Sequence, residues 1–176
     1  YSFAAGEKMS GRAINFRLGY QHIWTEHAFL ERADTISEKN GDTDVNRVIE
    51  SKIIKNSEEL GNALEPFYGR RPAYLFFNVL TSEDAATHVY ATAVFSGDMA
   101  AKKAAVEGIN KSTDDIANFL SSLNPNLPKS KLVSLLNTVV QAQMAQIDAV
   151  ASGDSVKEEE AWDKFDSFEF SRVLDT

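Results

Sequence analysis

The sequence predicts an all-α chain, an antiparallel four-helix bundle with a split second helix and an extra C-terminal helix, and three observations carry that prediction. Apolar residues recur three or four positions apart along most of the 176 residues, the spacing of one face of an α-helix. The runs between these segments are short and carry Gly, Pro, Asn and Asp, the residues of turns and helix caps. No stretch alternates with period two for long enough to form a strand. Long helices joined by short connections must run in opposite directions, which gives the antiparallel bundle.

Residues 1–12 mix small and polar types with two glycines and are expected to be a flexible lead-in, with residues 13–176 forming a single helical domain. The first helix is expected from Ala13 to Ser37, with Phe16, Tyr20, Ile23, Trp24, His27, Leu30 and Ala33 on its apolar stripe. A polar turn around Gly41 follows. The second helix reads as two pieces. The first runs from Asp44 to about Ile54, and Asn56 with Glu59 three residues later forms a capping box that restarts a second piece ending near Gly69. Pro66, Gly69 and Pro72 oppose further continuation. Pro72 then suits the first turn of a helix whose stripe, Leu75, Phe76, Val79, Leu80, Glu83, Ala86, Tyr90 and Val94, runs to Phe95.

Two near-identical junctions, Ser96-Gly97-Asp98 and Ser152-Gly153-Asp154, pair a helix stop with an aspartate cap. A helix from Met99 to Leu123 lies after the first, weakened in its middle by Gly108 and the Asn110-Lys111-Ser112-Thr113 run. Pro125 and Pro128 mark a loop, and a further helix runs from Lys129 to Ala151. The second junction opens the last helix. There Trp162, Phe165 and Phe168 are expected to form an aromatic seam toward Val173 and Leu174. Glu158, Glu159 and Glu160 sit at the start of that helix, where its dipole favours negative charge.

Composition removes several kinds of function. A formal charge of −8, from 26 acidic and 18 basic side chains, opposes binding to phosphate backbones, so no nucleic-acid partner is expected. The tightest basic cluster, Arg70-Arg71, reads as turn punctuation. Without cysteine the chain can form no disulfide, thiolate metal site or cysteine nucleophile. No apolar run approaches the ~18 residues of a membrane-spanning helix. The first residue is Tyr1 rather than Met, which suggests removal of an upstream segment and an extracytoplasmic location.

No phosphate loop, dinucleotide fingerprint, nucleophile elbow or zinc spacing is present. What remains is a polar set on apolar stripes. His27 lies between Trp24 and Leu30, and Glu83 between Val79 and Ala86. A carboxylate in a bundle core is costly unless paired, so His27 is expected to meet Glu83, with Glu59 and Gln143 near enough in pattern to join. Such a set reads first as a hydrogen-bonded structural cluster. The alternative is a divalent-metal site formed by His27, Glu59 and Glu83, although the Glu-x-x-His repeats of bundle di-metal sites are absent. His22 points elsewhere, and His88, four residues after Asp84, is expected to pair with it at the surface.

Three segments, WTEH at Trp24 to His27, KNSEELGNALEPFYG at Lys55 to Gly69 and IANFLSSLNPNLPKSKL at Ile116 to Leu132, resemble a family of small, often secreted bacterial helical-bundle proteins without an established activity. The resemblance implies a bundle and no particular reaction. It also implies that histidines found on the later helices of the family fall at positions matching Glu83 and Val139 here, so that His27 alone is kept. The function expected from all this is non-enzymatic: a bundle, with no cofactor, that docks onto a protein partner or larger assembly. A bundle binding a metal or small ligand is the rival.

Overall fold

The computed structural model describes residues 11–169. Among them it is all-helical, with six α-helices and no strand: α1 Gly11–Asn40, α2 Thr43–Tyr68, α3 Arg70–Ser96, α4 Met99–Leu123, α5 Lys129–Ser152 and α6 Ser155–Glu169. Each helix packs on the next, and α3 touches α1, α2, α4 and α5. The expected lead-in before Gly11, and the seam side chains of Phe165, Phe168, Val173 and Leu174, lie outside the described part of the molecule.

The connections follow the turn chemistry of the sequence. Gly41, Gly97 and Gly153 take left-handed backbone angles, φ 72 to 73°, which an L side chain adopts only with strain. Asp98 and Asp154 follow the latter two glycines. Asp98 accepts from the backbone N–H groups of Ala100 and Ala101, and Asp154 from that of Lys157. α4 and α6 therefore start, and α3 and α5 stop, as the sequence directs.

The second helix is not split. α2 runs unbroken through Asn56 and on past Pro66 to Tyr68. Ile53, Asn56, Ser57, Leu60, Gly61 and Leu64 are all buried on one continuous stripe, so the polar residues that resemble a cap are the middle of an inward face. The Asn56 side chain uses its hydrogen bonds on α1 rather than on its own helix. Pro66 removes one i→i−4 hydrogen bond, but it falls in the last turn, and the helix ends two residues later at Tyr68. α4 is likewise continuous through Asn110, with Ser112 and Thr113 buried.

Three apolar clusters hold the helices together. Leu60, Leu64, Phe76, Leu80 and Ile116 join α2, α3 and α4, with Tyr20, Ile23 and Trp24 of α1 against them. Tyr90, Ala91, Ala105, Ile109, Val140 and Ile147 join α3, α4 and α5. Ala28, Ala142 and Trp162 join α1, α5 and α6. α2 and α3 approach closely at Gly61, where a Cβ would lie 2.8 Å from the Ala73 carbonyl oxygen and 3.2 Å from Phe77 Cβ. Only glycine fits there without moving a backbone. α1 is the exception to apolar packing: beyond Trp24 its buried positions include His27, Asp34, Thr35 and Ser37. That polar half of α1 lies along α2 and α3 and forms the site.

Candidate functional site

His27 is 5% exposed, edge-on to the Trp24 ring with centroids 5.5 Å apart. Asn56 of α2 fixes its state. The Asn56 Nδ2 donates to the Ile23 carbonyl oxygen at 3.0 Å, which turns Oδ1 toward the imidazole. His27 Nδ1 therefore carries a proton and donates it to Asn56 Oδ1 at 2.9 Å. The other nitrogen, Nε2, faces Asp84 Oδ1 at 3.3 Å. That oxygen is buried and has no hydrogen-bond partner of good geometry.

Glu31, one turn after His27 on the same face of α1, completes the group. One donor atom each from His27, Glu31 and Asp84 lies within 4.8 Å of the others. A neutral side chain holds each of the three from behind: Asn56 holds His27, Ser57 Oγ donates to Asp84 Oδ2 at 3.0 Å, and Gln143 Nε2 donates to Glu31 Oε2 at 2.7 Å. Glu83 stands beside them, buried, its Oε1 accepting from Thr87 at 3.0 Å.

The site differs from the one read in the sequence. His27 and Glu83 are both inward, as their stripes require, and Gln143 joins the cluster. Glu59 does not. Its side chain is 47% exposed and lies 3.8 Å from Lys55 Nζ, because an uninterrupted α2 turns position 59 outward. Asp84, rather than Glu59, meets His27, and His88 pairs not with Asp84 but with Asp34 and Glu38 across the α1–α3 contact. Glu31 carried a signal in its i, i+4 spacing from His27. Asp84 did not, since it is adjacent to Glu83 and off the apolar stripe.

Electrostatics in the cluster are dominated by burial and by a surplus of acid. Burial by itself would lower the His27 pKa, but the close approach and charge of Asp84 and the charges of Glu31 and Glu83 outweigh it and push the imidazole up to about 9. Burial lifts Glu83 to about 7, with the charge of Asp84 adding to it and Thr87 and His27 opposing. Burial and the charge of Asp84 also hold Glu31 well above the usual carboxylate range. Three carboxyl groups thus share one imidazole, and with one cation in reach they can balance charge only by holding protons or by taking up a further cation.

This sets a pH dependence whose sign is unusual for acidic groups. Glu83 rises from 4.5 to about 7 and His27 from 6.5 to about 9. Both folded values lie above the unfolded ones, so both groups stabilise the fold at low pH and cease to do so as pH rises, Glu83 between about 4.5 and 7 and His27 between about 6.5 and 9. Chelator-treated protein is expected to lose on the order of 6 kcal/mol between pH 5 and pH 9, about half from each group, seen as a falling Tm. In Asp84→Asn the slope is expected to flatten. A Tm that is level or rises over that range contradicts this account.

Comparison of the chain with protein-family models, curated proteins and solved structures finds no match. The chemistry of the cluster itself therefore carries its reading. An imidazole nitrogen and two carboxylate oxygens, without thiolate, suit divalent first-row metals such as Mn²⁺, Fe²⁺, Co²⁺ and Zn²⁺.

Proposed function

We propose that this protein is a divalent-cation-binding helical bundle, its helices antiparallel, with His27, Glu31 and Asp84 as ligands and Glu83 as a neighbouring charge. The observation that supports it is the backing of every donor. Ligating histidines and carboxylates are characteristically fixed by hydrogen bonds on their far atoms, which orient the ligand and set the tautomer. Here Asn56 and Ser57 of α2 and Gln143 of α5 do so. A divalent cation would also supply the positive charge that the buried carboxyl groups lack. The short connections between consecutive helices support the antiparallel arrangement.

Metal analysis of the purified protein, followed by melting of the chelator-treated chain at pH 8 with Zn²⁺ or Mn²⁺, tests the reading. Binding at a hundred times Kd is worth about 2.7 kcal/mol, so Tm is expected to rise by roughly 5 to 10 °C for a chain of this size. Asp84→Asn should abolish the rise. Affinity should strengthen from pH 6 to pH 9, because the metal competes with a proton for His27 Nε2. Protein that carries no metal and melts unchanged with divalent ions rejects the proposal.

A second, compatible reading is docking onto a protein partner in an extracytoplasmic setting. Phe67, Tyr68, Tyr74 and Leu75, all exposed, flank the α2–α3 turn, and apolar groups of that kind mark contact surfaces. Light scattering and crosslinking in native extract test it; a chain that stays monomeric and captures nothing argues against it.

A further inference from the structure

Two helical turns beyond His27, or roughly 10 Å along α1, the same seam between α1 and α3 gathers a second group of donors that the first site does not use. Asp34 and Glu38 come from α1 and His88 from α3, with one donor atom of each within 4.8 Å of the others. His88 Nδ1 lies 3.8 Å from Asp34 Oδ2 and 3.5 Å from Glu38 Oε2. The far oxygens are held in the manner seen around His27. Asn46 Nδ2 donates to Asp34 Oδ1 at 2.7 Å, and Thr92 Oγ1 donates to Glu38 Oε1 at 2.7 Å. Each carboxylate thus keeps one oxygen on a neutral donor and turns the other toward the imidazole. Of the inward oxygens, Glu38 Oε2 is buried and accepts no hydrogen bond.

We infer that Asp34, Glu38 and His88 form a second divalent-cation site, separate from the first. The roles of the helices are exchanged between the two: α1 gives a histidine and a glutamate and α3 an aspartate at the first, while α1 gives an aspartate and a glutamate and α3 a histidine at the second. A spacing near 10 Å is too long for one bridged pair of ions, which sit about 3.5 to 4 Å apart. The second site also differs in access. His88 has a side chain 42% exposed against 6% for His27, so a cation can reach it from solvent without opening the bundle. The inference does not require the first site, and its test separates the two.

The chain has three histidines, His22, His27 and His88, so its imidazole proton resonances can be followed one by one. Chelator-treated protein titrated with Zn²⁺ at pH 7.5 is expected to bind two equivalents, with the His88 signals shifting in a step distinct from those of His27 and with His22 unmoved. Both His88→Gln and Glu38→Gln should remove one equivalent and leave the His27 step intact. Asn46→Ala, which keeps all three ligands but frees Asp34, should weaken the second step about tenfold. If the His88 signals do not respond to Zn²⁺, or if His88→Gln binds as many equivalents as the parent, the group is an ion pair only and the inference fails. A single equivalent lost in His88→Gln but kept in Asp84→Asn upholds this site and rejects the one at His27; the reverse result does the opposite.

Discussion

His27→Ala is expected to cost about 3–5 kcal/mol at pH 8 in metal-free protein, the usual penalty for removing one partner of a buried ionic group. The loss has two parts. A cavity opens beside Trp24, where the ring had been packed edge-on, and Asp84 is left beside Glu31 and Glu83 with no imidazole among them. Only the second part depends on pH. The imidazole contributes fully below about pH 6.5 and loses that contribution as pH rises toward its folded pKa of about 9, so the penalty should be larger at pH 5.5 than at pH 8. Adding Asp84→Asn to His27→Ala should restore part of the stability, because an amide at position 84 can still accept from Ser57 and carries no charge. Denaturant unfolding of the two single variants and the double variant at both pH values measures this coupling. Equal penalties at pH 5.5 and pH 8, or strictly additive single and double variants, would show that His27 is a packing residue alone.

Phe76→Ala is expected to lower stability by about 3–5 kcal/mol, a fall in Tm of roughly 10 °C. Its ring is 2% exposed, lies among Leu60, Leu64, Leu80 and Ile116, and stacks on Phe119 at 6.0 Å. Three helices converge on it, and none can collapse into the space without breaking another contact. Leu75 stands next to it on the stripe read from the sequence, yet is 41% exposed. Leu75→Ala should therefore change stability by no more than about 0.5 kcal/mol. Comparable losses in the two variants would mean that the α2–α3–α4 packing described here is wrong.

Both variants show how far periodicity could be read. The stripe on α3 placed Phe76, Leu80 and Glu83 inside correctly, but a stripe is a property of one face, and α3 packs against four other helices. With more than one face covered, adjacent residues such as Glu83 and Asp84 both turn inward although 100° apart around the axis. A single stripe therefore does not reveal Asp84. Glu59 is the opposite case: its place in the pattern brings it near the cluster only if Asn56 and Ser57 restart the helix, as their resemblance to a helix start suggests. They are instead the polar middle of a buried stripe, and a polar stripe becomes intelligible only when the polar face opposite it is known.

Taken alone, the chain determined its helices and most of their ends. Capping aspartates, left-handed glycines and prolines act within a few residues of themselves, and their meaning does not depend on what lies across the fold. The sequence also put His27 in the interior, through the apolar neighbours three residues to either side. Tertiary structure alone decided what His27 meets there. Asn56 on α2 sets which nitrogen holds the proton, Asp84 on α3 faces the other, and Gln143 on α5 steadies Glu31, partners 29, 57 and 112 residues apart in the chain. Donors so far apart acquire a common geometry only through the packing of the helices that carry them, which no local spacing encodes.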